Sequence, residues 1–245
     1  MVFPTASQSF HRLSKQHTSL PKEWPSAWTT TFYKEYPRLE TLLLPDTPPQ
    51  ADLFGLIQKR ASRREYRDIP LTRKEIGVLL KYACGNTFSM DTVDTEGGGR
   101  SHRAAPSGGA RFPIEAYLFV LRPSDDLPAG VYHYRIREHL LEVLEKRALE
   151  TDEIHQLLTY EWAWSASVVV VLTAVFRRTQ DKYGERGYRY ILLEAGHITQ
   201  NICLVGTALD IAVCPLAGTR DTMVEKLLSL DGVSESLIYA IALGK

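Results

Sequence analysis

The chain has 245 residues, of which 44% are hydrophobic and 24% are charged, and its 29 basic side chains balance its 29 acidic ones. This length and apolar content provide for one sizeable core and exclude an intrinsically disordered chain. The charge balance argues against a nucleic-acid-binding protein, because phosphate contacts need a surplus of Lys and Arg.

The N-terminus lacks the charged and apolar regions of a signal peptide, and no apolar run approaches the ~20 residues of a membrane span. Cys84, Cys203 and Cys214 have no metal-ligand spacing, and their odd number leaves one unpaired. We therefore expect a soluble, cytoplasmic protein with reduced core cysteines, no metal site, and no membrane or nucleic-acid partner.

Residues 1–50 are rich in Pro, Ser, Thr and aromatic residues and show little periodicity. We predict an irregular N-terminal arm, followed by a single domain over residues 51–245. Because disordered segments contain few aromatic residues, we expect the arm to pack on the domain. The side chains predicted to make that contact are Trp24, Trp28, Phe32 and Tyr36.

Capping signals mark the first elements of the domain. Residues 52–59 predict a short helix, and Thr72–Glu75 has the form of a capping box, which opens a second helix ending at Gly85. Residues 86–103 are polar and contain Gly97–Gly99, which predicts a mobile loop.

Further along, the hydrophobic patterns predict strands and helices in alternation. The β-branched run at 166–175 has no polar residue at every second position, so we predict a central strand with both faces buried. The other predicted elements are a strand or helix end at 114–121, strands at 130–134, 211–215 and 236–243, and helices at 151–160, 190–209 and 222–230. This order is compatible with an α+β or an α/β fold.

A basic segment near position 60 is a candidate phosphate site. Arg60, Ser62 and Arg64 alternate, so in an extended chain all three side chains point the same way. Two guanidinium forks and a hydroxyl arriving from one side suit a dianionic phosphate. The alternative interpretation is a solvated basic turn.

Two glycine-containing segments are weaker candidates. Gly108 and Gly109 would let the backbone approach a flat ligand and offer its N–H groups. The segment 215–220, with Gly218, runs from a strand end into a helix start, a place that favours electron-rich ligand groups. Ordinary turns remain the alternative for both.

Lys182 and Tyr183 form an adjacent pair between the predicted central strand and the predicted long helix. An ammonium group lowers the pKa of a neighbouring phenol, and burial lowers the pKa of a lysine. Either group could then accept a carbon-bound proton near neutral pH. The alternative is a surface lysine beside a tyrosine that packs.

Taken in this order, the segments resemble the nitroreductase-like flavoproteins, and within them the SagB-type dehydrogenases that oxidise azolines in peptide natural products. The resemblance covers nearly the whole chain. The motifs that carry it are Arg60-x-Ser62-x-Arg64-x-Tyr66, Arg103-x-x-Pro-Ser-Gly-Gly-Ala-Arg-Phe-Pro-Ile-Glu115, Gly130-Val-Tyr-His-Tyr134, Lys182-Tyr-Gly-Glu-Arg-Gly-Tyr-Arg-Tyr190, Glu194-Ala-Gly-His-Ile-Thr-Gln-Asn201 and Leu237-Ile-Tyr-Ala-Ile-Ala-Leu-Gly244.

The resemblance implies an α+β fold with a central, mainly antiparallel sheet flanked by helices, a homodimer of the domain-swapped type, and one FMN per site at its interface. It also implies roles for individual residues. The phosphate would be bound by Arg60, Ser62, Arg64 and Lys245, and the rest of the cofactor by Arg103, Pro106, Ser107, Gly108, Ala217 and Gly218, with Lys182 and Tyr183 abstracting the substrate proton.

The implied activity is the FMN-dependent oxidation of a thiazoline or oxazoline to the azole, in partnership with a cyclodehydratase and a precursor peptide. Two alternatives are an NAD(P)H-dependent nitro- or quinone reductase and a non-catalytic docking subunit. The chain departs from the subfamily pattern at Arg111 and Arg220. One hypothesis is that these added cations favour an acidic or carboxylate-bearing substrate.

Overall fold

The fold is built on a seven-stranded sheet, seen in a computed structural model that describes residues 5–15, 25, 30–89 and 101–245. The strand order is β1-β6-β5-β4-β7-β9-β8, and every neighbouring pair is antiparallel. The strands of this sheet are β1 (Thr41–Leu43), β4 (Ile114–Val120), β5 (Gly130–Arg135), β6 (Leu140–Glu145), β7 (Val168–Val175), β8 (Ala212–Leu216) and β9 (Glu235–Gly244). The predicted α+β class is therefore confirmed, and the α/β alternative is wrong.

Helices cover both faces of the sheet, and a separate hairpin pairs β2 (Asn86–Ser89) with β3 (Ser101–Arg103). The helices are α1 (Ala6–Leu13), α2 (Leu53–Lys59), α3 (Arg73–Cys84), α4 (Thr151–Leu157), α5 (Glu161–Trp164), α6 (Arg177–Tyr183), α7 (Arg186–Ala208) and α8 (Asp221–Leu227). The capping box predicted for α3 is present, with Thr72 as its N-cap and Gly85 at its C-cap.

The central strand β7 explains the unalternated apolar run. Val168 and Val170 belong to the core shared with α3 and α7, whereas Val169 and Val171 belong to the core shared with α4, α5 and α8. All four side chains are fully buried, so both faces of the strand need apolar residues. The sequence prediction for this strand is confirmed.

The N-terminal arm contains more regular structure than was predicted. Within residues 1–50, α1 is a helix and β1 pairs with β6 at the edge of the sheet. Trp24, Trp28 and the middle of the predicted loop at 86–103, including Gly97–Gly99, lie outside the described residues. The two ends of that range form strands β2 and β3, so the prediction of a loop is wrong there. Of the other two predicted contact residues, Phe32 is 43% exposed, and Tyr36 stacks edge-on against a buried histidine of the sheet.

Cys84, Cys203 and Cys214 are buried and form no disulfide, in agreement with the prediction of reduced core cysteines. Among the described residues, no helix combines the length and the apolar character needed to cross a membrane. The same residues contain no group of three or more His, Cys, Asp or Glu side chains arranged to hold a metal ion.

Candidate functional site

A strained turn begins at Pro106, which is exposed. Gly109 (φ 65°), Ala110 (φ 54°) and Phe112 (φ 46°) all adopt the left-handed conformation, which is unfavourable for the two residues that carry a Cβ. The turn is held by the Phe112 N–H, which donates to the Ser107 Oγ at 2.8 Å. Strained backbone of this kind concentrates at functional sites, so the turn is a candidate part of one.

Lys182 and Tyr183, at the end of α6, lie against this turn. A methyl group on Gly109 would collide with the Tyr183 hydroxyl and would come within 3.1 Å of the Lys182 Nζ. Lys182 is only 3% exposed, and its Nζ lies 5.4 Å from the centroid of the Tyr183 ring. The predicted proton-handling pair and the predicted cofactor turn are therefore neighbours in space.

Tyr190, on α7, completes this cluster. Its ring stands edge-on to the Tyr183 ring with centroids 5.1 Å apart, and it lies 3.3 Å from the position that a Gly108 Cβ would take. Burial, and then Tyr190, raise the pKa of the Tyr183 phenol, while Arg111 opposes the shift. The expectation of a lowered phenol pKa is therefore wrong, and Tyr183 is protonated at neutral pH.

A buried ion cluster anchors α6 to the sheet. Arg178 donates to the Phe112 carbonyl at 3.0 Å and pairs with the Glu115 carboxylate on β4. His133 on β5 then bridges Glu115 and Glu142, at 3.0 and 2.8 Å. Since unpaired charges are unfavourable in the interior, these partners fix the position of the helix that carries the pair.

Glu115 and His133 have pKa values shifted in favour of their charged forms despite their burial. Burial opposes ionisation of Glu115, but Arg178 and His133 outweigh it and lower the pKa of Glu115 to about 2. Burial also opposes protonation of His133, but Glu115 and Glu142 outweigh it and raise the pKa of His133. Each charge is therefore stabilised by the others.

Arg111 ties α6 to the N-terminal arm. Its Nε donates to the Arg178 carbonyl at 2.6 Å, and its Nη1 donates to the Thr30 carbonyl at 3.0 Å. The residue is 3% exposed, and two of its guanidinium nitrogens donate to backbone carbonyls. The hypothesis that the added cations favour an acidic substrate stays a prediction; Arg220 is exposed.

Glu194, on α7, lies buried beneath the turn. Burial raises the pKa of its carboxyl to about 7, while a hydrogen bond with Ser107 and the charge of Arg103 oppose the shift. Arg103 is only 7% exposed, and its guanidinium stacks 4.3 Å from the centroid of the Phe112 ring and 5.2 Å from that of Tyr33. Arg103 thus lies inside the protein, behind the turn rather than on its open side.

The basic segment runs beside β8. Ser62 forms a parallel bridge with Val213, and the Arg63 N–H donates to the Val213 carbonyl at 3.0 Å. Burial raises the pKa values of the Cys203 and Cys214 thiols, and the charges of Arg60 and Arg64, respectively, oppose these shifts. Both predicted phosphate-binding arginines therefore lie close to the α7 and β8 surface.

A cavity of about 910 Å³ opens beside this segment, and it is lined by Ser62, Arg64, Lys245 and two further arginines. The Lys245 ammonium pairs with Glu75 at 2.5 Å and also donates to the Leu209 carbonyl at 3.1 Å. It therefore contributes less free positive charge to the cavity than Arg64 does.

The loop that follows β8 is held by the segment between α4 and α5. The Thr159 N–H and Oγ1 both donate to the Gly218 carbonyl, at 2.9 and 2.8 Å. A methyl group on Gly218 would collide with the Tyr160 ring and the Thr159 hydroxyl, so glycine is needed for this close approach. Ala217, next to it, is exposed.

Family membership follows from the sequence. Residues 57–245 match the nitroreductase family. The chain belongs to the nitroreductase family. The predicted recognition is confirmed, and with it the class of enzyme, an oxidoreductase.

Three curated relatives are informative. This nitroreductase-family chain is 31% identical over 191 residues to MJ1384 of Methanocaldococcus jannaschii, a protein named as a nitroreductase, across 76% of this chain and 88% of that protein. It is 34% identical to the trifolitoxin-processing protein TfxB of Rhizobium leguminosarum, across 67% of this chain and 45% of TfxB. It is 32% identical to the microcin B17-processing protein McbC of Escherichia coli, across 54% of this chain and 50% of McbC. The chain thus spans about half the length of the two processing proteins.

Solved structures confirm the nitroreductase fold. A protein of Anabaena variabilis named as a nitroreductase superimposes with a TM-score of 0.73 at 26% identity, over 97% of this chain and 45% of the other. The E. coli microcin synthetase McbBCD complex was solved with truncated pro-MccB17 bound. One of its chains superimposes with a TM-score of 0.62 at 24% identity, over 98% of this chain and 91% of the other. A Desulfovibrio desulfuricans protein solved with FMN superimposes with a TM-score of 0.52 at 18% identity, over 80% of this chain and 87% of the other.

Sequence reasoning missed several residues that build the site of this nitroreductase-family chain. Thr159 and Tyr160 were assigned to the end of a short helix and Trp162 to no element, although the aromatic residues at 160, 162 and 164 were a usable signal. Tyr190 and Glu194 lie in motifs that carried the family resemblance but were given no role of their own.

Proposed function

We propose that this chain binds FMN and oxidises a thiazoline or oxazoline in a peptide to the corresponding azole. The observation that carries the proposal is the contact of Lys182 and Tyr183 with the glycine turn at Gly109. A generic reductase does not need a proton-abstracting pair there. The two relatives named for processing trifolitoxin and microcin B17 support the same peptide chemistry.

The residues present fit FMN. Ser62 and Arg64 line one cavity and are exposed, so their donors are open to a phosphate. In the loop after β8, which the family resemblance assigns to the cofactor, Ala217 is exposed and the Gly218 carbonyl is fixed by Thr159. The fold neighbour solved with FMN supports the same cofactor.

We also propose that two copies of the chain complete the site. Tyr190, beside the Lys182–Tyr183 pair, and Cys203, beside Arg60, are separated by roughly 20 Å along α7, at 1.5 Å per residue. A second chain that packs against the exposed face of α7 would bring complementary halves together. That face carries Leu193, which is 59% exposed, and Gly196, whose Cβ position is open.

The chemistry requires removal of an acidic proton and of a hydride from the ring. The α-hydrogen of an azoline lies between a carbon–nitrogen double bond and an amide carbonyl, and both withdraw electrons. We assign acceptance of this proton to the Lys182–Tyr183 pair, which lies against the Gly109 turn. FMN supplies the acceptor for the hydride.

The test is a Lys182→Ala/Tyr183→Phe double variant assayed on azoline-containing peptides. Loss of a general base reduces the rate by about 10²–10⁴-fold. We expect such a loss of kcat with unchanged FMN content. Asp181→Asn is the matched control, because Asp181 is an exposed neighbour on the same helix. Wild-type azoline turnover by an FMN-loaded double variant would show that the pair has been given the wrong role.

A second candidate is an NAD(P)H-dependent nitro- or quinone reductase, which the name of MJ1384 favours. It predicts rapid bleaching of the flavin by NADPH and turnover of nitroaromatics that is insensitive to the double substitution. A colourless protein without FMN affinity would instead support the docking-subunit alternative.

We further propose that a cyclodehydratase forms the ring before this chain oxidises it, on a precursor peptide. The support is the similarity to a chain of the McbBCD complex, which was solved with truncated pro-MccB17 bound. The test is co-purification of the chain with a cyclodehydratase encoded by a neighbouring gene. We expect the two proteins to co-purify in the absence of both FMN and peptide.

A further inference from the structure

We propose that residues 158–164 form a scaffold that sets both ends of the cofactor site: Thr159 positions the Gly218 loop, and Trp162 positions Arg64. This inference rests on the proposed FMN function. Neither residue is proposed to touch the substrate, so both are positioning residues.

The first step concerns the Gly218 loop. The chain around Leu158 bridges Thr219 in the antiparallel sense, and the Arg220 N–H donates to the Leu157 carbonyl at 3.0 Å. Within this short ladder, Thr159 directs two donors at the single Gly218 carbonyl. Two donors on one oxygen fix the plane of the Gly218–Thr219 peptide and strengthen the polarisation of its N–H group, which belongs to Thr219.

The second step concerns Arg64. Its guanidinium lies 5.6 Å from the centroid of the Trp162 ring, within the range of a cation–π contact. A long arginine side chain loses considerable rotamer freedom when it binds an anion. Contact with the indole restricts that freedom beforehand, so the guanidinium is already directed toward the cavity that it lines.

The two ends are connected through Tyr160. Its ring occupies the space beside Gly218 and stacks on Trp162, with centroids 5.7 Å apart and planes inclined by 16°. The scaffold is itself fixed by Trp164, whose Nε1 donates to the Leu158 carbonyl at 2.9 Å. Gly218, Tyr160, Trp162 and Arg64 therefore form one continuous row of contacts.

Two variants with different readouts test the proposal on the FMN-loaded full chain. Thr159→Val removes one of the two donors, and loss of one hydrogen bond changes an equilibrium by about 2–10-fold. We expect the preference of the protein for reduced over oxidised FMN to fall by that factor in a potentiometric titration, with unchanged affinity for oxidised FMN.

Trp162→Leu removes the indole but keeps an apolar side chain. Loss of a cation–π contact at a partly exposed site weakens binding by about 2–5-fold. We expect the Kd for oxidised FMN to rise by that factor, with the preference between the two redox forms unchanged. Thr159→Ser keeps the hydroxyl, so it should retain most of the redox preference. Trp162→Phe keeps an aromatic ring, so it should retain most of the affinity for oxidised FMN.

The result that overturns the proposal is a folded Thr159→Val protein with an unchanged redox preference, or a folded Trp162→Leu protein with an unchanged Kd. Equal changes of both properties in both variants would also overturn it, because they would indicate a general loosening. If the wild-type chain binds no FMN, the proposed function itself fails, which separates the two ideas.

Discussion

The two halves of the candidate site are held in opposite ways. Lys182 and Tyr183 sit on a helix that is anchored by the buried Arg178–Glu115 pair and by the backbone contacts of Arg111. The basic segment around Ser62 is connected to β8 by a single bridge and leaves its cationic side chains exposed.

The difference follows from where the compensating charge comes from. In the enclosed half, each buried charge has a partner within the chain, so this half is complete before any ligand binds. In the open half, several arginines line one cavity together with Glu65 and Asp210, and the exposed guanidinium groups are accessible to an anion from outside. The proton-handling half is therefore fixed by partners inside the chain, whereas the phosphate half leaves cationic groups accessible to a ligand.

Arg178→Ala is expected to have the largest effect on the enclosed half. Removal of one partner leaves the Glu115 carboxylate buried without its strongest cation, at a cost of about 3–5 kcal/mol. We expect the free energy of unfolding in urea to fall by that amount. Arg177→Ala is the matched control: its ion pair with Asp181 is exposed, and such pairs contribute about 0–1 kcal/mol. Equal losses for the two neighbours would refute the anchoring role of Arg178.

Much of this contrast could be predicted from the sequence where local signals were sufficient. The capping box at Thr72 and the apolar run of β7 have purely local causes, so both were predicted correctly. These two features depend on neighbours along the chain and not on the tertiary fold. The alternation of Arg60, Ser62 and Arg64 stays a prediction, since the cavity is lined by the consecutive residues Ser62, Arg63 and Arg64.

The missing parts depend on contacts between distant segments. His133 and Glu142 face each other through the β5–β6 register, and no local pattern reports that register. The structural contacts of Arg111 were missed because its partners, the Arg178 and Thr30 carbonyls, become neighbours only in the folded chain. The pKa of Tyr183 was predicted in the wrong direction because burial outweighs the effect of nearby cations.

The buried carboxyl beneath the turn gives the enclosed half a pH dependence. The folded pKa of Glu194 is about 7, against 4.5 for an unperturbed carboxyl. As the pH rises from 4.5 to 7, the unfolded chain releases this proton while the folded chain retains it, so the stability falls with pH. The loss amounts to roughly 3 kcal/mol, because one pKa unit corresponds to ~1.4 kcal/mol.

Glu194→Gln removes this titration. We expect unfolding curves of the wild type and the variant to converge or cross between pH 5 and pH 8, with the variant gaining relative stability as the pH rises. The contribution of His133, which has a raised pKa and loses its stabilising effect above about pH 6.5, is common to both proteins. A stability difference that is independent of pH would contradict the assignment.

The open half is tested by comparing Arg64 with the nearby Lys59. Arg64→Gln removes a fork that lines the cavity beside Ser62, and hydrogen bonds between charged groups contribute about 1.5–3 kcal/mol, or roughly tenfold or more in Kd. We expect the FMN Kd to rise by that factor with no loss of thermal stability of the free protein. Lys59→Gln removes the same charge from an exposed residue nearby that lies outside the lining of this cavity. Its smaller effect on the FMN Kd, measured by fluorescence titration at two salt concentrations, would separate directed binding from net charge. Equal increases of the FMN Kd in the two variants, both lost at high salt, would mean that the segment attracts anions through its net charge and does not bind a particular phosphate.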